Sequence, residues 1–197
     1  MTPLFKNRYR IATARLPGWN YSRPGPYFIT ICCKNRERCF GRIADRKMIL
    51  SGPGEIAQKM IDKILEYFDQ VQLNQFIVMP DHVHVILIID DCLRAETGRN
   101  HQRPVQDKNN TAVLKNAIRG GITGENNPML EKNSIGRIIR WYKGRVSYEI
   151  RNKYPDVYFQ WQSRYYDRII RDENELYKIK NYIINNPLAW KDIYNDP

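Results

Sequence analysis

Apolar positions change rhythm several times along this chain, and each change marks an element. Tyr27–Cys33 is β-branched and aromatic, which suits a strand. Ser51-Gly52-Pro53-Gly54 is a helix-start signal, after which Ile56, Met60, Ile64 and Phe68 repeat every four residues while Ala57, Ile61 and Leu65 widen the stripe. Leu73–Met79 and His82–Ile89 are short apolar runs that meet at a turn with Pro80 at its second position, which predicts an antiparallel hairpin. From about 91 to 133 the periodicity gives way to a polar insertion rich in Asn and Gly, with room for a short helix over Thr111–Arg119. Ser134 can cap a helix through Ile150, its inward stripe being Ile135, Ile138, Ile139, Tyr142 and Val146. Val157–Gln162 and Tyr165–Ile170 supply a last strand region. Asp172-Glu173-Asn174-Glu175 then opens a terminal helix in the manner of a capping box, with Leu176, Ile179 and Ile183 as its docking stripe. Ile86 and Ile88 of the hairpin are a suitable surface for that stripe, and Pro187 is expected to end the helix.

The order strand, helix, strand, strand, helix, strand, helix predicts an α+β fold with a ferredoxin-like antiparallel sheet. Two helices would cover one face, and the terminal helix would lie on the other. At 197 residues the chain suits one domain, here 26–197, preceded by an irregular basic arm over 1–25.

Charge sharpens the expectation about partners. The net charge is +11 with 12% aromatic residues, a balance that favours a polyanion such as nucleic acid. No apolar run approaches the ~20 residues that span a bilayer. Met1-Thr2-Pro3-Leu4-Phe5-Lys6 is not a secretory stretch, so no membrane partner and a cytoplasmic location are expected. Cys32, Cys33, Cys39 and Cys92 lack paired-ligand spacing and read as free thiols. Basic residues that could grip a phosphate backbone are Lys34, Arg36 and Arg38 after the first strand, Arg140, Lys143 and Arg145 on the second helix, Arg164 and Arg168 around the last strand, and Lys178 on the terminal helix. Trp141, Tyr142 and Tyr148 interleave with the second group, as bases stacked on aromatic rings require, although such rings also serve as core.

Two residue pairs carry candidate chemistry. Strand side chains alternate, so His82 and His84 project from one face while Val83, Val85, Leu87 and Ile89 project from the other. Two neutral imidazoles side by side are either a metal-binding pair or a satisfied polar face. His101, the remaining histidine, lies in the insertion and is expected to be solvated. Tyr182 and Asn186, four apart, share one side of the terminal helix, with Lys178 one turn earlier.

From about Pro26 to Trp190 the chain resembles the single-tyrosine HUH transposases, and among them the REP-associated tyrosine transposases. The resemblance is carried by Phe28-Ile29-Thr30, Met79-Pro80-Asp81-His82-Val83-His84, Tyr142-Lys143-Gly144-Arg145, Trp161-Gln162, Tyr166-Asp167 with Ile169-Ile170-Arg171, and Tyr182-Ile183-Ile184-Asn185-Asn186-Pro187. It implies that Tyr182 is a nucleophile forming a 5′-phosphotyrosine, and that His82, His84 and Asn186 hold a divalent metal. Two imidazoles and an amide form a carboxylate-poor shell suited to Mg²⁺ or Mn²⁺. The implied partner is single-stranded DNA beside a hairpin, bound by a monomer or homodimer. Asn186 stands where insertion-sequence relatives usually have glutamine, and Gly144 where serine is common. The competing expectation is a non-catalytic regulator that binds single-stranded nucleic acid.

Overall fold

The computed structural model describes residues 19–90 and 134–190. Most of the basic arm, the polar insertion, the Thr111–Arg119 segment, His101 and Cys92 lie outside the described residues. Strand β1 is Gly25–Cys32, followed by a short 3₁₀ turn at Lys34–Arg36 and the strands β2, Gly41–Ala44, and β3, Lys47–Leu50. Then come helix α1, Gly52–Tyr67, strands β4, Val71–Met79, and β5, His82–Ile89, helix α2, Ile135–Lys153, strand β6, Tyr166–Ile169, and helix α3, Glu173–Ala189.

The main sheet runs β4-β5-β1-β6 with every neighbouring pair antiparallel, which is the ferredoxin-like order. Strand β1 pairs with β5 without interruption from Gly25 opposite Ile89 to Cys32 opposite His82, which sets Thr30 across from His84. Alternation then sorts side chains by face. Tyr27, Ile29 and Ile31 join Val83, Val85, Leu87 and Ile89 in the main core, roofed by Ile56, Ile61 and Ile64 of α1 and Ile135, Ile138, Ile139, Tyr142 and Val146 of α2. On the opposite face Phe28 and Ile86 meet Ile170, Ile179 and Ile183 in a smaller core that docks α3.

Local chemistry sets the ends of the helices. The Ser51 hydroxyl accepts the Gly54 N–H at 3.2 Å and starts α1, Ser134 accepts the Arg137 N–H at 3.2 Å and starts α2, and the Asp172 carboxylate accepts the Glu175 N–H at 2.8 Å and starts α3. Glu175 returns a bond to the N–H of Arg171, one residue earlier than a capping box would have it. Gly54 is required by close approach, since a Cβ there would collide with the Phe40 carbonyl oxygen.

Several sequence expectations are corrected. Helix α3 does not stop before Pro187 but carries it, continuing to Ala189. Only the last turn forgoes a backbone bond there, and the indole of Trp190 packs back towards the sheet. Leu65 is exposed, and Ile88 does not join the smaller core. Val157–Gln162 is not a strand; it contributes a single bridge between Trp161 and Cys33. The β2–β3 hairpin was not expected. No helix among the described residues is long and apolar enough to cross a membrane.

Candidate active site

His82 and His84 stand at the start of β5, on the face that α3 covers, and are 5% and 4% exposed. Their Nε2 atoms face each other at 2.9 Å. The outer nitrogens are held by other groups. His82 Nδ1 meets the Asp81 carboxylate at 2.5 Å, and His84 Nδ1 meets the Thr30 hydroxyl at 2.8 Å. Burial, with the adjacent His82 and then Arg36, lowers the His84 pKa to about 3. His84 is therefore neutral across the physiological range, the form that ligates metal.

Helix α3 brings its own groups over this pair. The Tyr182 hydroxyl lies 3.3 Å from His84 Nε2, and its ring stands edge-on to both His84 and Phe28. Trp190, eight residues on, stacks over His82 with ring centroids 6.0 Å apart. Asn186 falls midway between them at the helical repeat and is 8% exposed, so the line Tyr182–Asn186–Trp190 runs along the two imidazoles. Tyr182 itself is 52% exposed. A buried imidazole pair capped by an accessible phenol can bind a cation and present an oxygen nucleophile beside it.

A Haemophilus influenzae protein, described as uncharacterized, is 34% identical over 177 residues, covering 90% of this chain and 88% of its own. The chain belongs to the family of that protein. No protein-family model matches it. Its fold matches a solved REP-associated tyrosine transposase bound to a REP hairpin, at a TM-score of 0.53 and 16% identity, over 93% of this chain and 75% of the other. That likeness is one of fold, and it agrees with the four-stranded antiparallel sheet and its C-terminal helix.

The basic residues divide between the two faces. Arg36 and Arg38 border the imidazoles: Arg36 Nε is 3.0 Å from the second Asp81 oxygen, and Arg38 sits over the Trp190 ring at 5.8 Å. Lys34, in the same turn, donates to the Gln160 side chain at 2.8 Å. Arg168 is paired with Glu175, while Arg164 and Lys178 are exposed. Arg140 and Arg145 are not at the imidazoles. With Arg137, Trp141 and Gly144 they line an open cleft of about 480 Å³ on α2, the layer beyond the opposite face of the sheet. Lys143 departs from its expected outward role. It turns inward to donate to the Gln162 carbonyl, and burial lowers its pKa to about 8.

Asp81, Thr30 and Trp190 were not singled out as site residues from sequence. Asp81 was signalled by adjacency to His82 in a turn, and Trp190 by its place two turns beyond Tyr182 on the same helical line. Among the described residues, no third His, Cys, Asp or Glu completes a ligand cluster with the imidazoles.

Proposed function

We propose that this protein cleaves and rejoins single-stranded DNA through Tyr182, with a divalent metal held by His82, His84 and Asn186. The observation that carries the reading is the Tyr182 hydroxyl at 3.3 Å from one of two buried imidazole nitrogens that face each other at 2.9 Å. The donors fit a metal. Both nitrogens point inward, the Asp81 carboxylate backs His82 in the way that carboxylates commonly back metal-bound imidazoles, and Asn186 offers an amide oxygen on the same line. A bound Mg²⁺ or Mn²⁺ would supply Lewis-acid polarisation of a phosphodiester.

The protein's own groups supply the rest. Docked on Phe28 and Ile86, α3 holds the phenol at the edge of the imidazole pair, open to solvent on its outer side. Tyr182 Oη attacks the phosphorus, the bond from phosphorus to the 3′ oxygen breaks, and the phenol proton passes through solvent to that oxygen. The products are a 5′-phosphotyrosine and a free 3′-OH. Attack by another strand's 3′-OH reverses the step, regenerating the phenol without ATP or water. The fold match to a transposase bound to a REP hairpin and the net charge of +11 both support single-stranded DNA as the substrate class.

The test is incubation with Mn²⁺ and labelled single-stranded DNA containing the palindromes that flank the protein's own gene, followed by denaturing gels beside Tyr182→Phe. A covalent protein–DNA adduct that disappears in the variant is expected. Metal-dependent cutting that survives in Tyr182→Phe would reveal a water nucleophile. Binding without cutting in any metal would identify a single-strand-binding regulator.

A further inference from the structure

The two imidazoles are held by unequal partners. The turn that carries Asp81 is pinned by its backbone: Cys33 donates its N–H to the Asp81 carbonyl at 2.8 Å and Phe40 donates to Pro80 at 2.9 Å. The Asp81 carboxylate is buried and divided, one oxygen on His82 Nδ1 at 2.5 Å and the other on Arg36 Nε at 3.0 Å. An ionised carboxylate only accepts, so His82 carries its proton on Nδ1 and leaves Nε2 bare. Only one proton fits between the facing Nε2 atoms at 2.9 Å, and with His82 Nε2 bare it belongs to His84. His84 Nδ1 in turn accepts from the Thr30 hydroxyl at 2.8 Å. A hydroxyl can donate or accept, so Thr30 tolerates either form of His84, whereas Asp81 permits one form of His82.

Arg36 is built for this contact. Asn35 and Arg36 both take left-handed backbone angles, φ 54° and 59°, which cost energy in residues with a side chain. From this turn the guanidinium meets Asp81 through Nε at 3.0 Å, while its Nη1 also reaches Cys32 Sγ at 3.0 Å.

We propose that Asp81, braced by Arg36, is a positioning residue that presets His82 as a metal ligand, while Thr30 lets His84 exchange its ring proton between nitrogens when a divalent cation enters. The inference rests on the metal-site reading above. It assigns Arg36 to the metal centre rather than to open phosphate binding.

Two readouts separate the inference from that reading, neither of them strand cleavage. Nitrogen NMR of the metal-free protein reports which ring nitrogen carries each proton, and Mn²⁺ titration followed by electron paramagnetic resonance reports affinity for the metal alone. Wild type is expected to show His82 protonated at Nδ1 and His84 at Nε2. Asp81→Asn, whose amide can also donate, should lose the single His82 form and weaken Mn²⁺ binding by roughly 10–100-fold. Arg36→Gln, at a half-exposed position, should weaken Mn²⁺ binding and keeps the test open if Asp81→Asn does not fold. Asp81→Glu should restore part of the affinity. Wild-type binding with unchanged affinity and unchanged ring protons in Asp81→Asn would overturn the positioning role and leave the metal site standing. Absence of Mn²⁺ binding to wild type would overturn the metal site and the inference together.

Discussion

Ile183 is fully buried next to the half-exposed Tyr182, and its replacement by alanine separates docking of the nucleophile from stability of the fold. The substitution removes three buried carbons, worth about 2.5 kcal/mol at ~0.8 kcal/mol each, and the residual cavity raises the cost towards ~4 kcal/mol. Among the described residues the buried members of the smaller core are Phe28, Ile86, Ile170, Ile179 and Ile183, and α3 contributes two of them. Truncation of one therefore takes away a large part of the buried apolar contact with which α3 docks. The same change at Ile138 falls in a far larger core shared by the sheet, α1 and α2. Hydrogen exchange distinguishes the two, because a locally docked element opens independently of the whole. In Ile183→Ala the α3 amides are expected to exchange roughly a hundredfold faster, the equivalent of ~2.7 kcal/mol, and the β5 amides much less. In Ile138→Ala both sets should accelerate together. The covalent adduct with DNA should form more slowly in Ile183→Ala although its phenol is chemically intact. Equal acceleration of α3 and β5 in Ile183→Ala would refute the idea that α3 is a separately docked carrier.

Further outcomes follow from other positions. Gly144 sits mid-helix with open space where a Cβ would go, so Gly144→Ala should raise stability by roughly 0.5–1 kcal/mol in denaturant unfolding. Gly54→Ala should instead cost roughly 1–3 kcal/mol, because the new carbon meets the Phe40 backbone. Lys143 should titrate near pH 8 by carbon NMR of its side chain; a midpoint at 10.5 would mean that it is not buried. Its folded pKa lies below the unfolded one, so between about pH 8 and 10.5 the unfolded chain binds the extra proton. The stability of wild type relative to Lys143→Met should therefore climb with pH across that window. Arg137→Ala with Arg140→Ala in the α2 cleft should weaken single-strand binding and reduce its log-log salt slope by ~0.7 for each phosphate no longer neutralised, with Mn²⁺ affinity unchanged.

The parts of the fold that depend on period were readable from the residues. Alternation placed His82 and His84 opposite Val83 and Val85, the four-residue repeat placed Tyr182 beside Asn186, and the buried stripe of α2 is the one its spacing predicts. What escaped either gives too weak a local signal or depends on partners distant in sequence. The β2–β3 hairpin turns at Asp45 and Arg46 with φ of 49° and 59°, angles usually signalled by Asn-Gly or Asp-Gly, and its four-residue strands are too short to show a period. Lys143 looked like one more cation on a basic helix until the Gln162 carbonyl supplied a buried partner. Pro187 looked like a stop because propensity is local, whereas Trp190 reaches His82, a residue more than one hundred positions earlier in the chain. Arg36 looked like a phosphate grip, and only the pairing of β1 with β5 brings its turn beside Asp81.

Strand β5 serves two masters at alternate positions: its odd-numbered residues build the main core, while on the other face His82 and His84 furnish the imidazoles and Ile86 the seat for α3. The two sets of constraints are interleaved residue by residue instead of occupying separate stretches. Substitutions on one face can accumulate without disturbing the other, yet a single inserted or deleted residue at Pro80–Asp81 would exchange the faces wholesale, turning histidines into the core and valines towards α3. Lineages descended from this chain should therefore vary in the composition of β5 and hardly at all in its length.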